Sequence, residues 1–184
     1  MLYDRFLKTL LRLSTIGHYP PDEWSAHWLS HGSPQPLDHL KPLNGGVYAT
    51  HHVISAFFMG LRHLHPLEGI YCSLYQLESG VMRYFISASQ AVLQSSIMNQ
   101  PVFIHLCDQS AFTPIPKTYP SRIVRYSSGR IKGPNEWIST QTIRPHHVFA
   151  MRLSDLAVTE HADHERRQAA RLFYRWRLAL TDLL

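Results

Sequence analysis

Chemistry in this chain of 184 residues has few groups to draw on: 13 histidines, two cysteines and 13 acidic side chains. The histidines cluster as His51-His52, His63-X-His65, His146-His147 and His161-X-X-His164. None of these has the HExxH or C2H2 spacing that gathers ligands around one tetrahedral ion. Adjacent residues on a strand point to opposite faces, so a doublet there does not chelate. Ordinary surface or hydrogen-bonded histidine is the expectation, and no metal site is predicted. Cys72 and Cys107 sit in apolar, strand-like runs, which predicts buried thiols rather than a bridge or a nucleophile. No G-x-S-x-G elbow, Walker loop or G-x-G-x-x-G is present; Ser33 follows a lone glycine.

One ordered constellation stands out. His31-Gly32-Ser33-Pro34 is followed by Pro36-Leu37-Asp38-His39-Leu40-Lys41-Pro42. Next come Gly46-Val47-Tyr48-Ala49-Thr50 and an apolar stretch with Ala56-Phe57-Phe58. Much later stand Asn135-Glu136-Trp137-Ile138-Ser139 and Ile143-Arg144-Pro145. Glu136 precedes two apolar residues, which suits a carboxylate at a strand edge facing a cleft. Its bland alternative is a solvated glutamate at a loop end.

In this order the motifs resemble the ADP-ribosyltransferase superfamily, in particular the branch with a His-Tyr-Glu triad that includes diphtheria-like toxins and poly-ADP-ribose polymerases. The resemblance spans residues 28–155. It implies NAD as substrate and a role for each matching residue. His31 would hydrogen-bond the adenosine-side ribose, and the Gly32 backbone would hold the nicotinamide carboxamide. Tyr48 would stack on nicotinamide, and Glu136 would bond the nicotinamide-ribose 2′-hydroxyl and stabilise the oxocarbenium-like transition state. Ser33, where threonine is commoner, and Thr50 complete the two upstream motifs. The branch carries a second tyrosine on the following helix; here Phe57, Phe58 and Met59 occupy that stretch, and a phenylalanine can wall nicotinamide without a hydroxyl. Arginine-specific members carry Glu or Gln two residues before the glutamate, where this chain has Pro134, so arginine is disfavoured as the acceptor. These roles are chemically coherent. A fixed carboxylate stabilises charge developing at the sugar carbon, a glycine admits close backbone approach, and an aromatic face suits a planar cationic ring.

These side chains need elements to hold them. Leu2, Phe6, Leu10 and Leu13 fall on one face, predicting a helix over 2–14 that ends by Tyr19-Pro20-Pro21. Residues 34–44 read as a loop, and Gly45-Gly46 releases a strand over 47–50. A buried helix is expected over 52–62, and a β-hairpin over 70–77 and 81–87 around Glu78-Ser79-Gly80. A helix over 88–98 and strands over 102–107, 137–140 and 148–153 complete the core. Residues 113–134 form a long loop with Lys117, Arg122, Arg125, Arg130, Lys132, Tyr119 and Tyr126 and no acid. Basic residues interleaved with aromatics suit single-stranded nucleic acid, so Tyr119, Arg122, Arg125, Arg130 and Lys132 are the expected target-binding set. Ala169, Leu172, Phe173, Trp176 and Leu180 give the C-terminal segment a helical apolar face, flanked by Arg166, Arg167, Arg171, Arg175 and Arg177.

The order of elements predicts an α+β fold. The resemblance sharpens this to a split, mostly antiparallel core of ADP-ribosyltransferase type in a single domain over 1–184. That domain divides into an N-terminal helix (1–20), a core (28–155) and a C-terminal helix (160–184). Hydrophobic residues make up 45% and charged residues 17%, which suits a packed core and excludes a disordered chain. The net charge of +5 predicts attraction to anions such as nucleic acid or a phosphorylated substrate. No apolar run is long enough to span a membrane, and charges at Asp4, Arg5, Lys8 and Arg12 break any signal-peptide stretch, so a cytoplasmic, membrane-free protein is expected. The expected activity is transfer of ADP-ribose from NAD to a macromolecule, nucleic acid or protein, in a toxin or phage-defence effector. Its rivals are a non-catalytic binding protein on the same fold, an RNA 2′-phosphotransferase, and a basic nucleic-acid-binding protein using the terminal helix. Twelve of the 13 histidines have no assigned task; His31 alone has one.

Overall fold

The computed structural model describes residues 27–65, 69–76, 82–115, 136–156 and 158–161. The expected helices over 2–14 and beyond residue 161, and the basic residues of the 113–134 loop, lie outside them.

Strand β1 (Trp28–Ser33) is the first described element. Its Ser, His and Gly residues have little intrinsic β preference, so the sequence suggests no strand here. Pairing supplies what propensity lacks. β1 runs antiparallel to β5 (Val102–Asp108), with Leu29 opposite Cys107 and His31 opposite His105. β5 in turn pairs antiparallel with β8 (His147–Met151).

A second sheet contains β2 (Val47–Ala49), β7 (Trp137–Ser139) and β6 (Thr113–Pro114), in the order β2-β7-β6. β6 occupies the start of the segment expected to be loop. A two-residue turn launches β2. Asn44 (φ 51°) and Gly45 (φ 99°) both adopt left-handed backbone, and Leu43 and Gly46 exchange hydrogen bonds of 3.3 and 3.2 Å. Positive φ at both central positions is the geometry that Asn-Gly hairpin turns favour.

The two sheets touch through one bridge. The Ser30 N–H donates to the Thr50 carbonyl at 2.7 Å, and the Thr50 N–H donates to the Ser30 carbonyl at 3.0 Å. The strand sequence is therefore β6-β7-β2-β1-β5-β8, interrupted by a seam between β1 and β2 that holds only one bridged pair.

Helix α1 (Val53–Leu64) lies against β1 and β5. Eight of its residues are buried, and Arg62 and His63 in its last turn complement the helix dipole. Pro66 follows, and His65 accordingly leaves the helix for extended backbone at φ −146° and ψ 148°. The packing leaves no room at two glycines. A Cβ on Gly32 would lie 1.8 Å from the Ala56 carbonyl oxygen, and one on Gly60 would lie 2.9 Å from the Gly32 carbonyl carbon.

A third sheet is the predicted hairpin, β3 (Ile70–Gln76) with β4 (Met82–Ser89). A third strand, β9 (Thr159–His161), joins β4 in parallel. The C-terminal segment thus opens as a strand where residues 160 and 161 are expected to be helical. Its backbone groups pair with Ser87–Ser89, which a helix start there would leave unpaired. The helix expected over 88–98 also differs. Ser89 ends β4 and accepts from the Val92 N–H, starting the short helix α2 (Gln90–Leu93). The Ser95 hydroxyl then donates to the Val92 carbonyl at 2.7 Å, and a 3-10 turn over Ser96–Asn99 follows. Such side-chain competition for backbone groups ends helices.

Two apolar clusters sandwich the β1–β5 sheet. One joins α1 to Ile104, Leu106, Ile86, Phe149 and Met151. The other collects Leu29, Leu40, Val47, Ala49, Cys107, Phe112 and Ile143 on the opposite side, with Trp137 packed against it. The described fold is mixed α and β with antiparallel sheets and two α-helices. None of its helices is long and apolar enough to cross a membrane.

Candidate functional site

At the seam between β1 and β2 the His31 ring meets the Tyr48 backbone. The Ser30–Thr50 pairing puts the Tyr48 and Glu136 side chains on the face of Ser30, and His31, one residue on, on the opposite face. Alternation along β1 decides which backbone groups face it. Ser30 turns its N–H and C=O to β2, so Gly32, two residues on, does the same, while the His31 carbonyl faces β5. A continued ladder would pair Gly32 with Tyr48. Instead the His31 ring reaches across, and its Nδ1–H donates to the Tyr48 carbonyl at 2.7 Å. Ser30–Thr50 is the one bridge between β1 and β2 among the described residues, and Gly32, of the same parity as Ser30, turns its N–H and C=O towards the seam.

That hydrogen bond fixes the tautomer of His31. A carbonyl only accepts, so the proton resides on Nδ1 and the neutral ring offers Nε2 as an acceptor. Burial pushes the His31 pKa down, the Tyr48 carbonyl opposes this, and the charge of His63 adds slightly to the lowering. The ring is thus held neutral near pH 7.

Glu136 arrives from the far side of β2. Ala49 pairs with Trp137, which puts Glu136 opposite Thr50 in the same register. The Glu136 carbonyl accepts from the Ile115 N–H at 2.9 Å, which ties its backbone to the β6 side. Ser30, Thr50 and Glu136 form one row across three strands. At a strand spacing of about 4.8 Å, the row measures about 10 Å. Tyr48, Glu136 and Ile138 share a face, because Tyr48 pairs with Ile138 and side chains alternate. Trp137 points the other way, into the second apolar cluster, with the His51 ring edge-on at 5.4 Å. It anchors the strand that carries Glu136. His31, Tyr48 and Glu136 are each partly exposed, whereas Leu29, Gly32, Ser33, Val47, Ala49 and Thr50 around them are buried.

The remaining candidates have structural positions. The Ser33 hydroxyl accepts from the Gln35 N–H at 3.2 Å, and the Thr50 hydroxyl accepts from the His52 N–H at 3.1 Å. Phe57 and Phe58 are 0% and 1% exposed and pack against one another in the first cluster. Their rings belong to the core and form no open wall. Tyr119, Arg122, Arg125, Arg130 and Lys132 lie outside the described residues.

The motifs do not single out His105, yet it lies beside His31 on the neighbouring strand. It is wholly buried, opposite His31 in the ladder, with ring centres 5.9 Å apart. Its Nε2 accepts from the Leu37 N–H at 3.0 Å, so its proton resides on Nδ1, which points at the His31 carbonyl at 3.4 Å. Burial first, then neighbouring His31, push its pKa down to about 4, against smaller opposing effects of the His31 and Phe103 carbonyls. The available signal was a lone ionisable residue in the apolar run Val102–Cys107. Cys107 is a buried free thiol whose pKa burial raises to about 12, and Cys72 is also free with its pKa raised; neither is activated as a nucleophile.

No family model matches the chain, and neither the curated proteins nor the solved structures supply a match.

Proposed function

We propose that the chain binds NAD across the β1–β2 seam and transfers its ADP-ribose to a macromolecule, releasing nicotinamide. The seam carries this reading. Next to His31, whose Nε2 is an acceptor, Gly32 has the parity that turns its N–H and C=O towards the seam, and the row that begins at Ser30 ends at Glu136. A carboxamide offers one donor group and one acceptor, which complements such an edge. Tyr48, on the same face as Glu136, supplies a flat aromatic surface for a cationic ring.

The chemistry follows from charge. As the bond between nicotinamide nitrogen and ribose C1′ breaks, its electron pair leaves with nicotinamide and C1′ becomes cationic. The Glu136 carboxylate, bonded to the ribose 2′-hydroxyl, stabilises that charge. A nucleophilic atom of the acceptor then bonds to C1′ and loses its proton. The His31 Nε2 lone pair accepts from a ribose hydroxyl and orients the other half of the dinucleotide.

The core positions of Phe57 and Phe58 favour a second reading, a non-catalytic NAD-binding protein, because they leave Tyr48 without a ring partner from that pair. Calorimetry separates the readings when each titration is followed by chromatography. Binding heat with nicotinamide in the eluate supports transfer. Heat with intact NAD supports binding alone, and absence of heat contradicts both.

A further inference from the structure

The segment that follows Ser33 has no regular structure over residues 34–39, yet its backbone is fastened at defined points. Gln35 N–H donates to the Ser33 hydroxyl, Leu37 N–H donates to His105 Nε2, and Leu40 forms a two-bond bridge with Ile143 at 2.8 and 2.9 Å. Of these, the Leu37 bond is the only one made in the middle of the segment to a different sheet strand. Gln35, Pro36, Asp38 and His39 are exposed on the outer side of the segment. The segment begins three residues after His31 and leads from β1 towards β2.

We infer that His105 is a positioning residue for this site: as a buried acceptor beside His31 in the ladder it latches the Leu37 backbone and fixes the 34–40 segment against β5. The inference rests on the NAD reading for its consequence in binding, while the latch itself rests on geometry. A ring nitrogen accepts only when it carries no proton. The low pKa of His105 keeps that nitrogen bare at neutral pH. An apolar ring of similar volume in its place would fill the core but leave the Leu37 N–H without an acceptor. Glutamine would restore an acceptor at similar reach.

The test compares the full chain as wild type, His105→Gln and His105→Phe. Amide hydrogen exchange is read at Leu37, with Ile104 and Leu106 as core controls, and NAD affinity by calorimetry. A lost neutral hydrogen bond commonly changes an equilibrium by about tenfold. His105→Phe is expected to speed Leu37 exchange and to weaken NAD binding by about that factor, with the controls protected. His105→Gln should restore both. Unchanged Leu37 exchange in His105→Phe overturns the latch, and unchanged NAD affinity overturns its positioning role. Wild type that binds no NAD but shows the Leu37 contrast overturns the NAD reading and retains the latch. Wild type needs no variant for one further check. Long-range proton–nitrogen correlation should show His105 protonated on Nδ1 alone, and the opposite tautomer contradicts the latch even if His105→Phe fails to fold.

Discussion

Glu136 and His31 have different tasks in the proposed reaction, so their substitutions should separate. Glu136→Gln keeps shape and removes charge at the edge of β7. It should lower nicotinamide release by about 100- to 1000-fold with little change in NAD affinity. His31→Ala removes both the ribose acceptor and the bond to the Tyr48 carbonyl. It should raise the dissociation constant for NAD by at least about tenfold in calorimetry. Equal binding by His31→Ala and wild type contradicts the role given to Nε2. At this scale the motifs named His31, Gly32, Tyr48 and Glu136, which the structure places on β1, on β2 and immediately before β7. His105 was not legible, since its partners, Leu37 and His31, lie 68 and 74 residues away. Nor did the motifs reveal that Phe57 and Phe58 face the core, as the face a helix buries depends on the sheet it meets.

The seam is a property of elements. α1 presses on β1 at Gly32 and Gly60, and Gly32 lies two residues beyond the bridge from Ser30 to β2. Gly32→Ala puts a methyl group into the Ala56 carbonyl, a backbone atom that cannot step aside. Overpacking of this kind costs about 1–3 kcal/mol, and urea unfolding should show a loss in that range or more. Unaltered stability contradicts the described packing. Strands 102–107 and 137–140 and the 70–87 hairpin were legible because apolar runs and turn residues mark them. β1 was not, because its strand state comes from β5 and not from its own side chains. β9 was hidden for a similar reason, as only pairing with β4 distinguishes Thr159–His161 from the helical pattern after it.

For the whole molecule, buried neutral histidines link folding to pH. His52 and His105 have folded pKa values of about 4, both through burial, and His31 is shifted in the same direction. His51 lowers the His52 pKa further, and His31 does the same to His105. Unfolded, each histidine titrates near 6.5, so between about pH 6.5 and 4 the unfolded chain binds more protons. Stability is therefore full above about pH 6.5 and falls as pH drops towards 4, by a few kcal/mol in order of magnitude. Urea midpoints measured from pH 7.5 to 4.5 should fall steadily, and His105→Phe should flatten part of that slope. A midpoint constant over this range contradicts the buried neutral state. The α+β class was legible at this scale from the alternation of apolar patterns. The seam, a single bridge between two sheets, has no local sequence signature.

The central claim is that this seam cleaves NAD with Glu136 as the stabilising carboxylate. Chromatographic measurement of nicotinamide released from NAD by wild type and by Glu136→Gln, both folded by circular dichroism, tests it most directly. Wild type is expected to release nicotinamide in the presence of cellular nucleic acid or protein, and Glu136→Gln to do so about 100- to 1000-fold more slowly. No release by wild type, or equal release by both, would contradict it.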